Sequence, residues 1–166
     1  ISSLRATITS PPLGDSTSSA ATRPSTRSAR GETTSPSLTA AEAVIAALLR
    51  DHPAAMARLQ AIGLSGHMHG AVLLDASDRV LRPCILWNDT RSHAQAARLD
   101  AIPGIRGLSG NIVFPGFTSP KLVWMARHEP DLFDRVATVL LPKDYLRLWL
   151  TGERVGEMSD ASGTSW

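Results

Sequence analysis

The apolar positions near the start of the foldable part of the chain follow a helical pattern. Residues 40–51 have a largely helical composition of alanine, leucine and isoleucine, and Thr39 with Glu42 matches the capping-box pattern that begins many helices. A proline at the start of residues 53–59 predicts a second, shorter helix, since proline suits the first helical turn. The sequence therefore predicts two consecutive helices ahead of the first strand.

Three apolar runs in the middle of the chain predict strands. The first, residues 62–65, ends at Gly66, where the missing side chain permits a sharp turn. Residues 71–74 and 80–87 form the other two runs, and the polar residues 75–78 between them predict a turn. The last two runs are thus expected to form a hairpin, and helices leading into strands are typical of α/β proteins.

The second half of the chain predicts short helices around one further strand. A buried strand is expected at 136–141 and an irregular loop at 109–118. The predicted helices are 90–99, capped by Asp89 or Thr90, then 120–128, and then 144–150, stopped by Thr151 and Gly152. Residues 158–166 read as a small-residue loop without a terminating element, which predicts an incomplete C-terminus.

Composition separates the first 38 residues from the rest. Ser, Thr, Arg and Pro supply 10, 7, 4 and 4 of them, so this segment has too little apolar surface to offset the entropy of ordering. We predict a disordered tail over 1–38 and an incomplete domain over 39–166. The Arg- and Ser-rich composition also fits an organelle transit peptide, but a start at Ile1 favours a truncated or wrongly read beginning.

Charge and cysteine content limit the classes of function. The tail carries four arginines against Asp15 and Glu32, which leaves 13 basic and 13 acidic residues in the remainder. Without a basic cluster there, a nucleic-acid partner is not expected. The sequence contains no apolar run of 18 residues, so no membrane partner is expected either. The single Cys84 cannot form an intrachain disulfide, which fits the reducing cytoplasm, and its apolar surroundings predict an inert core residue.

The candidate chemistry lies in the turn between Gly66 and Gly70, which holds His67, Met68 and His69. If this segment were extended, the two imidazoles would lie on one side, a spacing that metal sites use. The other three histidines fall in predicted helices without a paired motif, so a metal would lack ligands. Two other interpretations of the histidines are open: a pair whose hydrogen bonds are satisfied within the protein, or a contact to a polar ligand such as a sugar. A neutral imidazole suits the sugar contact, because it has one hydrogen-bond donor and one acceptor.

Five blocks of sequence carry a resemblance to a known family. They read Gly-His-Met-His-Gly at 66–70, Leu-Arg-Pro-Cys-Ile-Leu-Trp-Asn-Asp at 81–89, Asn-Ile-Val-Phe-Pro-Gly-Phe-Thr-Ser-Pro-Lys-Leu-Val-Trp at 111–124, Leu-Leu-Pro-Lys-Asp-Tyr-Leu-Arg at 140–147 and Ser-Asp-Ala-Ser-Gly-Thr at 159–164. In this order they resemble the FGGY family of carbohydrate kinases, and within it the bacterial xylulokinases. Residues 116–128 also resemble the family's first signature, with Thr118, Lys121 and Trp124 at its fixed positions. The resemblance covers residues 59–166.

The resemblance implies a fold and an activity. The fold would be part of an actin-like, ribonuclease H-like domain with a mixed sheet and flanking helices. The activity would be transfer of phosphate from ATP, with Mg, to the 5-hydroxyl of D-xylulose, in a complete enzyme that could be a homo-oligomer. Met68 and His69 match the sugar-binding dipeptide, whereas His67 stands where relatives have glutamine.

The same resemblance places other parts of the reaction outside this sequence. The family's phosphate loop has no counterpart in residues 1–60, and its general-base aspartate would follow Trp166. No catalytic, cofactor-binding or metal-binding residue is therefore assigned in this chain, and the chain alone is expected to be inactive. Two alternatives stay open: a non-catalytic sugar-binding remnant, and a metal-dependent hydrolase with His67 and His69 as ligands.

Several charged residues receive structural interpretations. Asp89 and Arg91 are expected to form a local ion pair rather than line the cleft. Lys121 is expected to pack within its helix with a solvated or cleft-facing amine. The remaining three are predicted to stabilise local structure: Lys143 and Asp144 as helix caps, and Asp160 through the backbone near Ser159 and Thr164.

Overall fold

The computed structural model of the chain describes residues 36–165, and the side chains from Leu38 onward. The predicted tail therefore lies almost wholly outside the described residues. The elements are helices α1 (Pro36–Asp51), α2 (Pro53–Met56), α3 (His93–Asp100), α4 (Ile105–Ser109), α5 (Thr118–His128), α6 (Pro130–Phe133), α7 (Pro142–Thr151) and α8 (Met158–Ala161), strands β1 (Val72–Leu74) and β2 (Thr138–Leu140), and a 3-10 turn at Ser162–Thr164.

The first two helices confirm the predicted order but not the predicted start. Helix α1 begins at Pro36, so Thr39 and Glu42 lie inside it and do not form the predicted capping box. Proline is favoured in the first helical turn because its missing N–H would be unpaired there in any case. Helix α2 starts at Pro53 as predicted and ends at Met56, before Leu59.

The sheet of the described residues has two antiparallel strands. Strand β1 pairs with β2 in the register Val72 to Leu140, Leu73 to Val139 and Leu74 to Thr138. The residues of β1 alternate between two apolar clusters, as the two-residue period of a strand requires. Val72 and Leu74 pack toward α1 and α7, while Leu73 packs with Met125 of α5. Helices thus cover both faces of the strand, which is the α/β arrangement predicted.

The predicted hairpin after β1 is present, but its second strand is irregular. Only two isolated bridges join the two sides, Ala71 to Ile85 and Leu74 to Val80. Between these two bridges, residues 80–85 span five peptide units, whereas residues 71–74 span only three. The segment 80–85 therefore bulges away from β1. Pro83 lies in this bulge and has no backbone N–H for a regular ladder.

Residues 62–65 do not form the predicted strand. Ile62 is half exposed, and only Gly63 of this segment takes part in a bridge, without a regular strand among residues 36–165 as its partner. An apolar run becomes a strand only when a neighbour accepts its backbone hydrogen bonds. The later sharp turn was predicted correctly, because Gly66 has φ 106°, in the region that favours glycine.

The short elements of the second half were the least predictable. Helix α3 starts at His93 rather than at Thr90, while α5 and α7 begin two residues before their predicted starts. Helices α4, α6 and α8 were not predicted, and α8 replaces part of the expected terminal loop. Helices of four or five residues depend on tertiary contacts more than on intrinsic propensity. None of the helices in the described part is long and apolar enough to cross a membrane.

Candidate functional site

The turn that carries His67, Met68 and His69 has a left-handed backbone. His67 has φ 50° and His69 has φ 60°, and the Gly70 N–H donates to the Met68 carbonyl at 2.8 Å. Positive φ is uncommon for residues with side chains and costs of the order of 1–3 kcal/mol, so it persists where surrounding contacts enforce it. The segment is therefore not extended, and the metal-type spacing inferred for an extended segment does not apply.

The three side chains of the turn point to different places. Met68 is 54% exposed and lines a cleft beside α7. The His67 ring turns inward, since a Cβ added at Gly70 would lie 3.1 Å from His67 Nε2 and 3.0 Å from Cys84 Sγ. The His69 ring does not line the cleft. The structure thus separates Met68 from the two imidazoles rather than grouping all three on one wall.

The His69 ring is held between Phe117 and Gly163. The ring centroids of His69 and Phe117 are 4.6 Å apart, and Phe114 packs edge-on against Phe117. On the other side, a Cβ added at Gly163 would lie 2.5 Å from His69 Cε1, so only glycine allows this approach. For both residues the only signal in the sequence was membership of a family-like block, 111–124 for Phe117 and 159–164 for Gly163.

The main chain of His69 is held as firmly as its ring. Its carbonyl accepts hydrogen bonds from Lys121 Nζ at 2.7 Å and from Thr118 Oγ1 at 3.2 Å. Lys121 Nζ also donates to the Gly116 carbonyl at 2.7 Å. Lys121 is fully buried, so the expectation of a solvated or cleft-facing amine was wrong. The strong attraction between the ammonium and two carbonyl dipoles directs the amine inward.

Burial and a neighbouring cation keep both imidazoles neutral near pH 7. Burial, followed by the positive charge of Lys121, lowers the pKa of His67. The same two causes lower the pKa of His69, where the Asp160 carboxylate and the Gly163 backbone oppose them. Within the described residues, His67 Nε2 and His69 Nδ1 are buried without a hydrogen-bond partner. Buried polar atoms without partners are rare and are expected where a polar ligand or water binds.

Cys84 and Lys121 also titrate away from their ordinary values. Burial raises the pKa of the Cys84 thiol to about 11, which agrees with its predicted role as an unreactive core residue. Burial lowers the pKa of Lys121 to about 8, so the amine is mostly charged at neutral pH. In residues 36–165, no three His, Cys, Asp or Glu side chains converge in a way that could hold a metal, so the hydrolase alternative gains no support.

The cleft beside Met68 has a volume of about 910 Å³. Residues 59–66 form one wall, and α7 with the segment leading into α8 forms the other. Its charged lining residues are two basic and three acidic: Lys143, Arg147, Asp144, Glu157 and Asp160. Most of the lining surface is apolar, and the charged side chains among it give no excess of positive charge.

Lys143 organises the acidic side of this cleft. Its amine lies 3.1 Å from Asp144 and 2.7 Å from Asp160, and both carboxylates help to raise its pKa against the effect of burial. Neither Lys143 nor Asp144 caps α7, whose N-cap is Leu141 without a side-chain bond, so that prediction was wrong. The Asp160 carboxylate pairs with Lys143, which corrects the expected backbone role. These ions are therefore part of the cleft wall.

Asp89 and Arg91 form the predicted local ion pair. Arg91 Nη2 lies 2.7 Å from Asp89 Oδ2, and the guanidinium stacks over the Trp124 ring at 4.9 Å. The side-chain bond from Arg91 is the main cause that lowers the pKa of Asp89. Neither residue lines the cleft. Their arrangement supports the structural interpretation.

The fold and this site match one class of proteins, the carbohydrate kinases. The FGGY family of carbohydrate kinases, N-terminal domain, matches residues 20–166, and the chain belongs to this family. The chain is 56% identical over 109 residues to the xylulose kinase of Escherichia coli strain K12 and 48% identical over 108 residues to that of Bacillus subtilis strain 168. These matches cover 65% and 64% of the chain, but only 22% of each relative.

Solved structures agree with the sequence matches. The chain is similar to the crystal structure of a xyloylose kinase from Brucella ovis, with a TM-score of 0.76 and 64% identity over 78% of this chain and 27% of that one. The xylulose kinase of Bifidobacterium adolescentis gives a TM-score of 0.58 at 30% identity, over 65% of this chain and 28% of that one. The predicted family and the actin-like α/β fold class are confirmed, although the described residues contribute only two antiparallel strands to the sheet.

Proposed function

We propose that this chain is the sugar-recognising part of a kinase that uses ATP and Mg to phosphorylate D-xylulose at its 5-hydroxyl in the cytoplasm. The observation that carries the proposal is the Met68–His69 turn, held in a strained backbone conformation beside a cleft whose mostly apolar lining also carries five charged side chains. The xylulose kinases to which the chain is similar support the choice of sugar. Since the chain spans about a fifth of their length, their activity is a proposal for this chain.

The charges of the cleft support a neutral polyol as the ligand. Three carboxylates against two cations would repel a triphosphate, so the described residues do not fit ATP. A ketose presents hydroxyl groups that both donate and accept hydrogen bonds, which suits carboxylates and ammonium groups equally. We therefore assign sugar recognition to this part of the protein and no phosphate-binding role.

Met68 and His69 would have different tasks in sugar binding. The exposed thioether of Met68 would form an adaptable apolar wall against the carbon face of the sugar. The neutral imidazole of His69 lies behind the cleft lining, within electrostatic reach of the lining residue Asp160, and a sugar hydroxyl that reached it would satisfy its unpartnered Nδ1. The His67 Nε2 atom lies beside Gly70, in the same small space as Cys84 Sγ and Pro142 Cγ, so His67 would support the turn rather than touch the sugar.

Sugar binding tests the proposal directly. Isothermal titration of the purified chain with D-xylulose is expected to show saturable binding, and His69→Ala is expected to weaken it about three- to tenfold, the cost of one neutral hydrogen bond. His52→Ala, at the exposed N-cap of α2, is the matched control and should bind as the unaltered chain does. A folded chain that binds no D-xylulose, or a His69→Ala variant of unchanged affinity, would contradict the assignment.

Sugar affinity should also depend on pH in a defined direction. Since burial, followed by the charge of Lys121, holds the pKa of His69 below its ordinary 6.5, the midpoint of its protonation lies below pH 6.5. Affinity is therefore expected to fall on acidification, with a midpoint below pH 6.5. Isothermal titrations with D-xylulose at intervals of half a pH unit would measure this dependence. The His69→Ala variant should not show the loss of affinity at low pH. A midpoint of the affinity change above pH 6.5 would contradict this prediction.

A further inference from the structure

We propose that Lys121 is the positioning residue of the sugar site: its buried ammonium holds the backbone of the His67–His69 turn in the conformation that binds sugar. The role rests on the proposed function of that turn. Lys121 does not line the cleft, so it would act through the main chain of the turn and through its charge rather than by touching the sugar.

The burial of Lys121 calls for a reason other than packing. Its side chain is fully buried, and no salt bridge within the described residues includes it. Burying an ammonium without a counter-ion is costly unless hydrogen bonds replace its water. A methionine would fill a similar volume without that cost, so a packing role alone does not account for the charge. What the amine adds is its two bonds, each 2.7 Å long, to the carbonyls of His69 and Gly116.

These two carbonyls belong to different turns, which Lys121 joins. The Gly116 turn is itself fixed, because Ser92 Oγ donates to the Pro115 carbonyl at 2.9 Å. Helix α5 provides both Lys121 and Thr118, the second donor to the His69 carbonyl. The left-handed conformation of His69 is thus tied through its carbonyl to a rigid neighbour, as a strained backbone requires.

The charge of Lys121 serves the same site in a second way. It faces His67 and His69 on the turn, Cys84 on the returning side of the hairpin, and Asp89 at the end of that segment. Its positive charge lowers the pKa of both imidazoles, which favours the neutral form that can donate and accept. Lys121 therefore contributes to both the geometry of the turn, together with Thr118, and the protonation of its imidazoles, after burial itself.

Lys121→Met tests the proposal through two independent measurements. Without the charged donor, D-xylulose affinity in the folded variant is expected to fall about 10- to 100-fold, the loss associated with charge-assisted hydrogen bonds. In the absence of sugar, NMR titration of the ring protons should show a higher pKa for His69 than in the unaltered chain. Thr118→Val, which removes only the 3.2 Å bond, is the matched control and should have a smaller effect on both.

The results separate this proposal from the proposed function. If the unaltered chain binds no sugar, the proposed function fails, while the NMR titration still tests the action of Lys121 on the turn. A folded Lys121→Met variant with unchanged affinity and an unchanged His69 pKa would overturn the positioning role. If the Lys121→Met variant does not fold, exchange of the Lys121 ammonium protons with water can be measured by NMR in the unaltered chain at pH 7. Slow exchange would support the hydrogen bonds to the His69 and Gly116 carbonyls, and rapid exchange would refute them.

Discussion

Gly116→Ala is expected to destabilise the chain by about 2–3 kcal/mol, at the upper end of typical overpacking effects. A Cβ at this position would lie 2.3 Å from the backbone oxygen of Trp87, which cannot rotate away as a flexible side chain could. The clash would also displace the Gly116 carbonyl, an acceptor of the Lys121 amine. Urea unfolding should therefore show a lower midpoint, and titration of the folded fraction should show weaker binding of D-xylulose.

The control for Gly116→Ala is the same substitution where space is open. A Cβ at Gly107, inside α4, meets no atom within 4 Å, so Gly107→Ala should be neutral or stabilise the chain by about 0.5–1 kcal/mol through helix propensity. If Gly116→Ala and Gly107→Ala lost equal stability, the effect would be general to the substitution of glycine by alanine. No loss in Gly116→Ala would show that the contact with Trp87 is not as close as described.

Leu73→Ala is expected to cost about 2–5 kcal/mol, the range for deleting a fully buried leucine side chain. Leu73 is 0% exposed and lies at the centre of β1, where it packs with Met125 and Ile85. The backbone of Leu73 is held on both sides, by β2 and by the Leu81 N–H that donates to its carbonyl at 2.9 Å, so the surroundings cannot collapse freely into the cavity that would form. Thermal and urea unfolding would measure the loss.

A second leucine provides the comparison for Leu73→Ala. Leu108 in α4 is 87% exposed, and Leu108→Ala should change the free energy of unfolding by no more than about 0.5 kcal/mol. If the two variants lost equal stability, the apolar cluster around β1 would not be the core. If neither did, β1 would not be packed on both faces.

Local signals predicted the longer elements. Helices α1, α5 and α7 were predicted from helical composition and spacing, with Pro120 near the start of α5 and Gly152, which has φ 80°, at the end of α7; the prolines that begin α1 and α7 were not used. Strands β1 and β2 follow from short apolar runs. In contrast, residues 62–65 have the same apolar character and are not a strand, because backbone pairing partners are set by distant parts of the chain.

The site was predicted as a location rather than as a geometry. The Gly-His-Met-His-Gly turn and its family resemblance pointed to residues 66–70, and Met68 does line a cleft. The left-handed φ of His69, its ring contact with Phe117 and its approach to Gly163 were not predictable, because each joins residues far apart in the chain. The ion pair between Lys143 and Asp160, which corrects the predicted roles of both residues, also joins distant parts of the chain.

The sequence by itself determined the α/β class, the family and the turn that carries the candidate sugar contacts, because these depend on local patterns and short motifs. Tertiary structure decided which way each side chain of the turn points and why its backbone is held. Lys121 shows the difference most clearly. Its sequence position suggested a partly solvated helix residue, but the fold closes three segments around its amine and leaves carbonyl oxygens as its acceptors. A buried charge takes whatever partners the packed chain supplies, and only the folded arrangement specifies them.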